Sequence, residues 1–201
     1  LITLDLSAGG AATSTINNII LGAGQVNVTG GNAVDNITLG SGANTLNLGG
    51  GADTVVGTYA TANGDTINTG DGADTVTINA ADDGSATYTL AIDTGAGDDD
   101  IEINDLAVDA LDAITIVGGD GSDTLTVTGT NDFSNAGSDV DGTVEEVLIR
   151  SDVTFTAAQI AAVGGNISVH PDQFDDDGNP LDPLKSHAIS LVPSEGVSSV
   201  S

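Results

Sequence analysis

Apolar residues in this chain come in short runs that alternate with polar ones. Leu4/Leu6, Ile19/Leu21, Val26/Val28, Ile37/Leu39, Leu46/Leu48 and Val76/Ile78 are each separated by one residue. A period of two is the mark of a strand with one buried face. Val55 and Ile67 fit the same inward series, and Thr and Asn fill the outward places between. The runs are separated by stretches rich in Gly and Asp, residues suited to tight turns. The pattern predicts an all-β chain of short strands. No run of eighteen apolar residues exists, so no helical membrane span is expected.

The turns share a frame of nine. Gly118–Thr126 (GGDGSDTLT) has Gly at its second and fourth places, Asp at its sixth and an apolar residue at its eighth. Leu48–Val56 (LGGGADTVV), Thr69–Thr77 (TGDGADTVT) and Thr94–Glu102 (TGAGDDDIE) repeat it. Glycines at alternate places let the backbone turn sharply and leave carbonyl oxygens facing outward. Six residues of turn and three of strand make half a coil, so two nonapeptides complete one coil of a right-handed parallel β-roll or β-helix. Stacked coils repeat every ~4.8 Å. Two bare carboxylates about 5 Å apart repel by roughly 1 kcal/mol in water and about 3 kcal/mol near a protein surface. A column of aspartates therefore calls for a cation. Ca²⁺ suits it, being hard and accepting carboxylate and carbonyl oxygens in loose geometry.

Sixth-place residues fall at Asp35, Asn44, Asp53, Asp65 and Asp74. Asp35 and Asp53 are eighteen apart, one coil, and so share an edge. Tyr59–Asn63 adds three residues, read as a bulged turn. Asp74, Asp99 and Asp123 are 25 and 24 apart, which predicts an extra strand per coil (Tyr88–Ile92, Ala113–Val117) and a three-sided helix. The expected side-chain ligands are Asp35, Asp53, Asp74, Asp99 and Asp123. Asp65 and the third-place Asp71 and Asp120 are secondary candidates. Backbone carbonyls of Gly49, Gly51, Gly70, Gly72, Gly95, Gly97, Gly119 and Gly121 are expected to complete the shells.

Over Gly30–Thr126 this frame resembles the glycine-aspartate, calcium-binding nonapeptide of RTX proteins. The resemblance implies several bound Ca²⁺ ions, one-step export and folding outside the cell. Gly118–Val169, with VEEVLIR, VTFT and TAAQIAAV after the acidic repeat, resembles the large repeat-rich surface-layer and matrix proteins of bacteria. The organisation expected is degenerate metal-poor coils at 1–29, a calcium-binding roll at 30–127, closing coils with a short Ala-rich helix at 128–170, and a linker or the start of a further domain at 171–201. Within these, 129–141 reads as a polar loop. Thr156 reads as a helix N-cap and Gly164 as a stop. Asp82–Gly84 reads as a solvent loop, and Asp175–Asn179 as a joint rather than an EF-hand.

Composition narrows the function. Among 201 residues the formal net charge is −28, and only four of the thirty acids are Glu. That bias to the shorter acid favours turn chemistry over plain solubility. Arg150 and Lys185 are the only basic side chains, which excludes nucleic acid and bare anionic membranes as partners. There is no Cys, so a secreted domain would be stapled by metal instead. The chain opens in strand-like sequence without Met and reads as a piece of a longer or processed protein. His170 and His187 lie in no HExxH pattern, and no Ser sits in a Gly-x-Ser-x-Gly elbow, so no enzyme is expected. The expected function is a calcium-dependent structural module of an extracellular bacterial surface assembly. Its partner would be its own kind in a lattice or filament, with cell-surface polysaccharide a further candidate. An adhesin stalk or ligand-binding solenoid, and the secretion tail of an exported hydrolase, are the alternatives.

Overall fold

The computed structural model describes residues 1–7, 17–59, 64–80, 89–104, 113–129, 131–134, 137–163, 167–169, 172–174, 180–185 and 189–192. The strands, in chain order, are β1 (Ile2–Asp5), β2 (Asn17–Ile20), β3 (Val26–Thr29), β4 (Asp35–Thr38), β5 (Thr45–Gly50), β6 (Thr54–Tyr59) and β7 (Gly64–Asp71). They continue as β8 (Thr75–Ala80), β9 (Thr89–Ala96), β10 (Asp100–Asn104), β11 (Ala113–Asp120) and β12 (Thr124–Thr128). Odd-numbered strands up to β11 line one sheet and even-numbered strands line the other. Every pairing among them is parallel and joins a strand to the one two places on. The chain is a parallel β-solenoid, as the period of two and the nonapeptide frame lead one to expect.

The coil lengthens along the stack. Asn36 pairs with Thr54, 18 residues on; Thr54 with Thr75, 21 on; Thr75 with Asp100, 25 on; and Asp100 with Thr124, 24 on. The strands expected to form a third face, at Tyr88–Ile92 and Ala113–Val117, do not add one. β9 and β11 join the same sheet as β7. The extra length falls at 81–88 and 105–112, outside the described residues, as do Asp82–Gly84, Asp175–Asn179 and residues 60–63 of the expected bulge. A strand pattern before a turn says that a strand forms, not which sheet receives it.

Among the described residues, a third parallel face forms beyond Gly129. It holds β13 (Asn131–Asp132), β16 (Val153–Thr156) and β20 (Ile189–Val192). Meanwhile β14 (Asp139–Val140) extends the odd-numbered sheet, and β15 (Glu146–Ile149) and β17 (Ile167–Val169) extend the even one. So 129–141 is not simply a polar loop. It buries Phe133 and Val140, and Phe133 stacks on Phe155 with ring centroids 5.2 Å apart. Helix α1 (Ala157–Ala162) starts at Thr156, whose hydroxyl and Gln159 close a capping box. The Gln159 amide is buried and donates to the carbonyls of Phe133 and Ser138. In the final stretch, β18 (Asp172–Phe174) and β19 (Pro180–Lys185) pair antiparallel. β20 then returns to β16, which ties Ile189–Val192 to the solenoid.

Between the sheets lies a narrow aliphatic core. Leu46, Leu48, Val55, Ile67, Val76, Ile78, Leu90, Ile92, Ile101, Ile103, Ile114, Ile116, Leu125 and Val127 are all essentially inaccessible. Each sits one residue from an outward Thr, Asn or acid. Two outward Asn pairs stack across coils, Asn36 on Asn18 and Asn104 on Asn79, each at 3.0 Å.

Candidate cation-binding edge

The sixth-place residue of each repeat stands where the turn ends and a strand begins. Its backbone is therefore already in sheet register, and its side chain falls inward at the corner of the coil. Asp35, Asp53, Asp74, Asp99 and Asp123 are buried there, at most 1 % exposed, at the entrance to β4, β6, β8, β10 and β12. Because the coils are in register, these carboxylates stack in one column.

They bridge coils, but through backbone amides. The Asp35 N–H donates to Asp53 Oδ1 at 2.8 Å, Asp53 N–H to Asp74 Oδ1 at 2.7 Å, Asp74 N–H to Asp99 Oδ1 at 2.8 Å and Asp99 N–H to Asp123 Oδ1 at 3.0 Å. Each carboxylate thus satisfies the corner N–H of the coil before it. The second oxygen, Oδ2, of Asp53, Asp74, Asp99 and Asp123 is buried without a hydrogen-bond partner. Such an orphaned acceptor costs about 1–3 kcal/mol, and more when charged. Burial pushes Asp53 up to about 7 and Asp99 to about 6, with neighbouring carboxylates adding to the rise. Asp74 and Asp123 are raised for the same first reason. At neutral pH this column wants a proton or a cation.

The opposite edge is different. Asn44 Oδ1 accepts the Val26 N–H at 3.2 Å, and its amide donates to the Gly42 carbonyl at 2.7 Å. Asp65 is buried here, and its Oδ1 accepts the Asn44 N–H at 2.6 Å. Leu90 and then Ile114 take the matching place in the next two coils. Asp65 is therefore not part of the carboxylate column.

Asp71 and Asp120 are exposed on the outside of the turns. Asp71 is still near enough to raise Asp74 by its charge. Their carbonyls accept the N–H groups of Gly51 and Gly97.

Gly49, Gly51, Gly70, Gly72, Gly95, Gly97, Gly119 and Gly121 all have positive φ. They form two files up the stack. A Cβ on Gly72 would lie 1.5 Å from the Gly51 carbonyl oxygen, and one on Gly97 would lie 1.5 Å from that of Gly72. The carbonyls of the glycines below thus reach toward the next coil rather than outward, because the coils are too close for any side chain between them.

Threonines reinforce the column, a role that the repeat frame does not announce. The Thr69 hydroxyl donates to the Thr94 carbonyl, and the Thr94 hydroxyl to the Gly118 carbonyl, each at 2.9 Å. Both threonines are fully buried first-place residues. Glu145, outside the nonapeptides, continues the column: its Oε2 accepts the Asp123 N–H at 2.8 Å, a place that aligning the strand starts after Asp123 and Glu145 reveals.

Among the described residues, no three His, Cys, Asp or Glu side chains converge as a ready metal cage. A cation at this edge would rest on stacked carboxylate pairs and backbone carbonyls. His170 and His187 lie outside the described residues. Comparison with protein-family models, curated proteins and solved structures gave no match.

Proposed function

We propose that this chain is a calcium-dependent structural module of a secreted bacterial surface assembly, such as a surface layer, sheath or matrix filament. One observation carries the reading: four buried carboxylate oxygens, Oδ2 of Asp53, Asp74, Asp99 and Asp123, stand in one column without a hydrogen-bond partner. The donor set fits calcium, which takes carboxylate and carbonyl oxygens at flexible coordination. Bound ions would neutralise the column and hold successive coils together. The chain's own residues do the rest: the aspartates cap corner amides, the glycine files allow close stacking, and the aliphatic core fills the interior.

A calcium site with Kd of ~0.1 mM stabilises the fold by about 1.4 kcal/mol at ~1 mM free ion. Four such sites approach the whole stability of a domain, roughly 5–15 kcal/mol. Such a chain stays loose in a calcium-poor cytosol and sets outside the cell. No catalytic role is proposed. Self-association, and contact with cell-surface polysaccharide, belong to the same reading. RTX-type export is part of it, resting on the repeat frame alone.

A metal-independent stalk is the second reading. It is favoured by the Oδ1 contacts, which already staple each coil to the next without an ion. Circular dichroism with light scattering, from chelator to ~10 mM calcium, separates the two. β-Structure and ordered particles that grow together with calcium support the first. A chain fully folded in chelator and indifferent to calcium overturns it.

A further inference from the structure

The carboxylate column does not stop where the repeats do. Thr124 pairs with Glu146, which sets Glu145 beside Asp123. On the odd-numbered sheet the same coil has a register of 24, Thr115 to Asp139, and on the even sheet only 22. The intervening turn is therefore two residues shorter than the turn below it. Glutamate is one methylene longer than aspartate and makes up the reach. Its Oε2 accepts the Asp123 N–H at 2.8 Å, the same contact that each aspartate makes lower down.

The short turn is held by its own residues. Asp141 Oδ1 accepts the Thr143 N–H at 2.8 Å, and Thr143 Oγ1 accepts the Gly118 N–H at 3.1 Å. This brings the Thr143 carbonyl against Gly118. A Cβ on Gly118 would lie 2.5 Å from Asp123 Oδ2 and 2.6 Å from the Thr143 carbonyl oxygen. Both oxygens therefore converge on the Gly118 backbone, closer than any side chain there would allow. In the two coils below, a threonine occupies this first place: Thr69 beside Asp74 and Thr94 beside Asp99. Gly118 carries no hydroxyl there to reach the Asp123 carboxylate. Gly30 has the matching place in the first regular coil, where Asp35 has other contacts. Asp123 is fully buried, and its Oδ2 has no partner.

We infer that Asp123 Oδ2, the Thr143 carbonyl and Glu145 form a calcium site around Gly118, at the junction where the repeat coils pass to the closing coils. The inference rests on the calcium reading above and locates one ion within it. Two carboxylates match the charge of a divalent ion, and the carbonyl supplies a neutral ligand. Glu145 is half-exposed, so the site opens toward solvent and leaves room for water ligands. An ion there would fasten the first non-repeat turn to the last regular one.

The test is calcium calorimetry on the whole chain, with circular dichroism as a check on folding. Glu145→Gln keeps an oxygen for the Asp123 N–H but removes the charge. It should fold and either lose one calcium per chain or weaken one site by about tenfold. Gly118→Ala would collide with both oxygens and push them apart, and should remove the same ion. Glu146→Gln, one residue on and exposed, should change neither count nor affinity. Unchanged calcium binding in Glu145→Gln overturns the inference while leaving the calcium reading intact. If Gly118→Ala fails to fold, Glu145→Gln decides alone. A wild-type chain that binds no calcium overturns both together.

Discussion

The two edges of this solenoid are built from one repeat frame and do opposite things with it. On the edge that enters the even-numbered strands, the sixth place reads Asp35, Asp53, Asp74, Asp99 and Asp123, then Glu145. On the other it reads Val26, Asn44, Asp65, Leu90 and Ile114. The second edge is satisfied by an amide, one carboxylate and the aliphatic core. The first accumulates buried negative charge, one acid per coil. Stacking in register multiplies whatever the frame holds: a neutral residue becomes a spine, and an acid becomes an electrostatic debt. The first edge is therefore where solution conditions should act.

The largest effect should come from closing the glycine files. Gly97 has φ 143°, and its Cβ would lie 1.5 Å from the Gly72 carbonyl. Gly97→Ala should cost more than about 3 kcal/mol, because it combines backbone strain with a collision between coils. Gly24, in a turn of the other edge, has nothing within 4 Å of its Cβ position. Gly24→Ala should be neutral or stabilise by up to ~1 kcal/mol through the unfolded chain. Chemical denaturation in saturating calcium would compare the two. Equal losses would mean that the carbonyl of the neighbouring coil does not set the cost at Gly97.

Next in size is the carboxylate itself. Asp74→Ala leaves the Asp53 N–H without its acceptor, at a cost of about 1–3 kcal/mol, and should weaken calcium binding as well. Asp74→Asn separates these roles. It retains an oxygen for the amide but removes the buried charge. In chelator it should be at least as stable as wild type, while its gain in stability on adding calcium should shrink. An asparagine variant that responds to calcium like wild type would show that this rung holds no ion.

Acidity provides the third comparison. Asp53 and Asp99 rise to about 7 and about 6, from an ordinary 3.8. Without metal, the folded chain therefore binds more protons than the unfolded one between these values. That contribution is complete below the unfolded pKa and is lost as pH climbs through about 6 and 7. Thermal melts in chelator should give a Tm higher by roughly 5–10 °C near pH 5 than near pH 8. Calcium should flatten that slope, since it competes with the proton for the same oxygens. A Tm that rises with pH in chelator would contradict the burial of these carboxylates.

Much of this contrast could be read before the fold was known. The aspartates fall eighteen or more residues apart with strand residues just after them, and that places them at corners on one edge. Leu90 and Ile114 likewise continue an inward series. The partner of each carboxylate was not legible, because a spacing shows that two groups meet and not whether an amide or an ion lies between them. The third face was also misplaced. Coil length alone cannot say which sheet receives a strand, and the face that does form is packed by Phe133, an isolated apolar residue in polar surroundings that stacks on Phe155. Glu145 hid for a related reason: its turn is shorter and its side chain longer, so it kept the geometry while breaking the frame.

The smallest predicted effect also asks most directly whether an edge can be converted. Asn44→Asp would place a second carboxylate next to Asp65 on the quiet edge. The new side chain keeps an acceptor for the Val26 N–H but loses the donor now given to the Gly42 carbonyl. Two carboxylates about 5 Å apart near a protein surface repel by roughly 3 kcal/mol, less where solvent screens them. In chelator the variant should therefore melt slightly below wild type, by a loss on the order of 1–2 kcal/mol. In calcium the deficit should disappear if paired carboxylates in a glycine turn suffice to hold the ion. If it persists, pairing is not enough. The positive-φ glycines and first-place threonines of the charged edge, which the turns before Asn44 and Asp65 lack, would then be what makes a rung into a site.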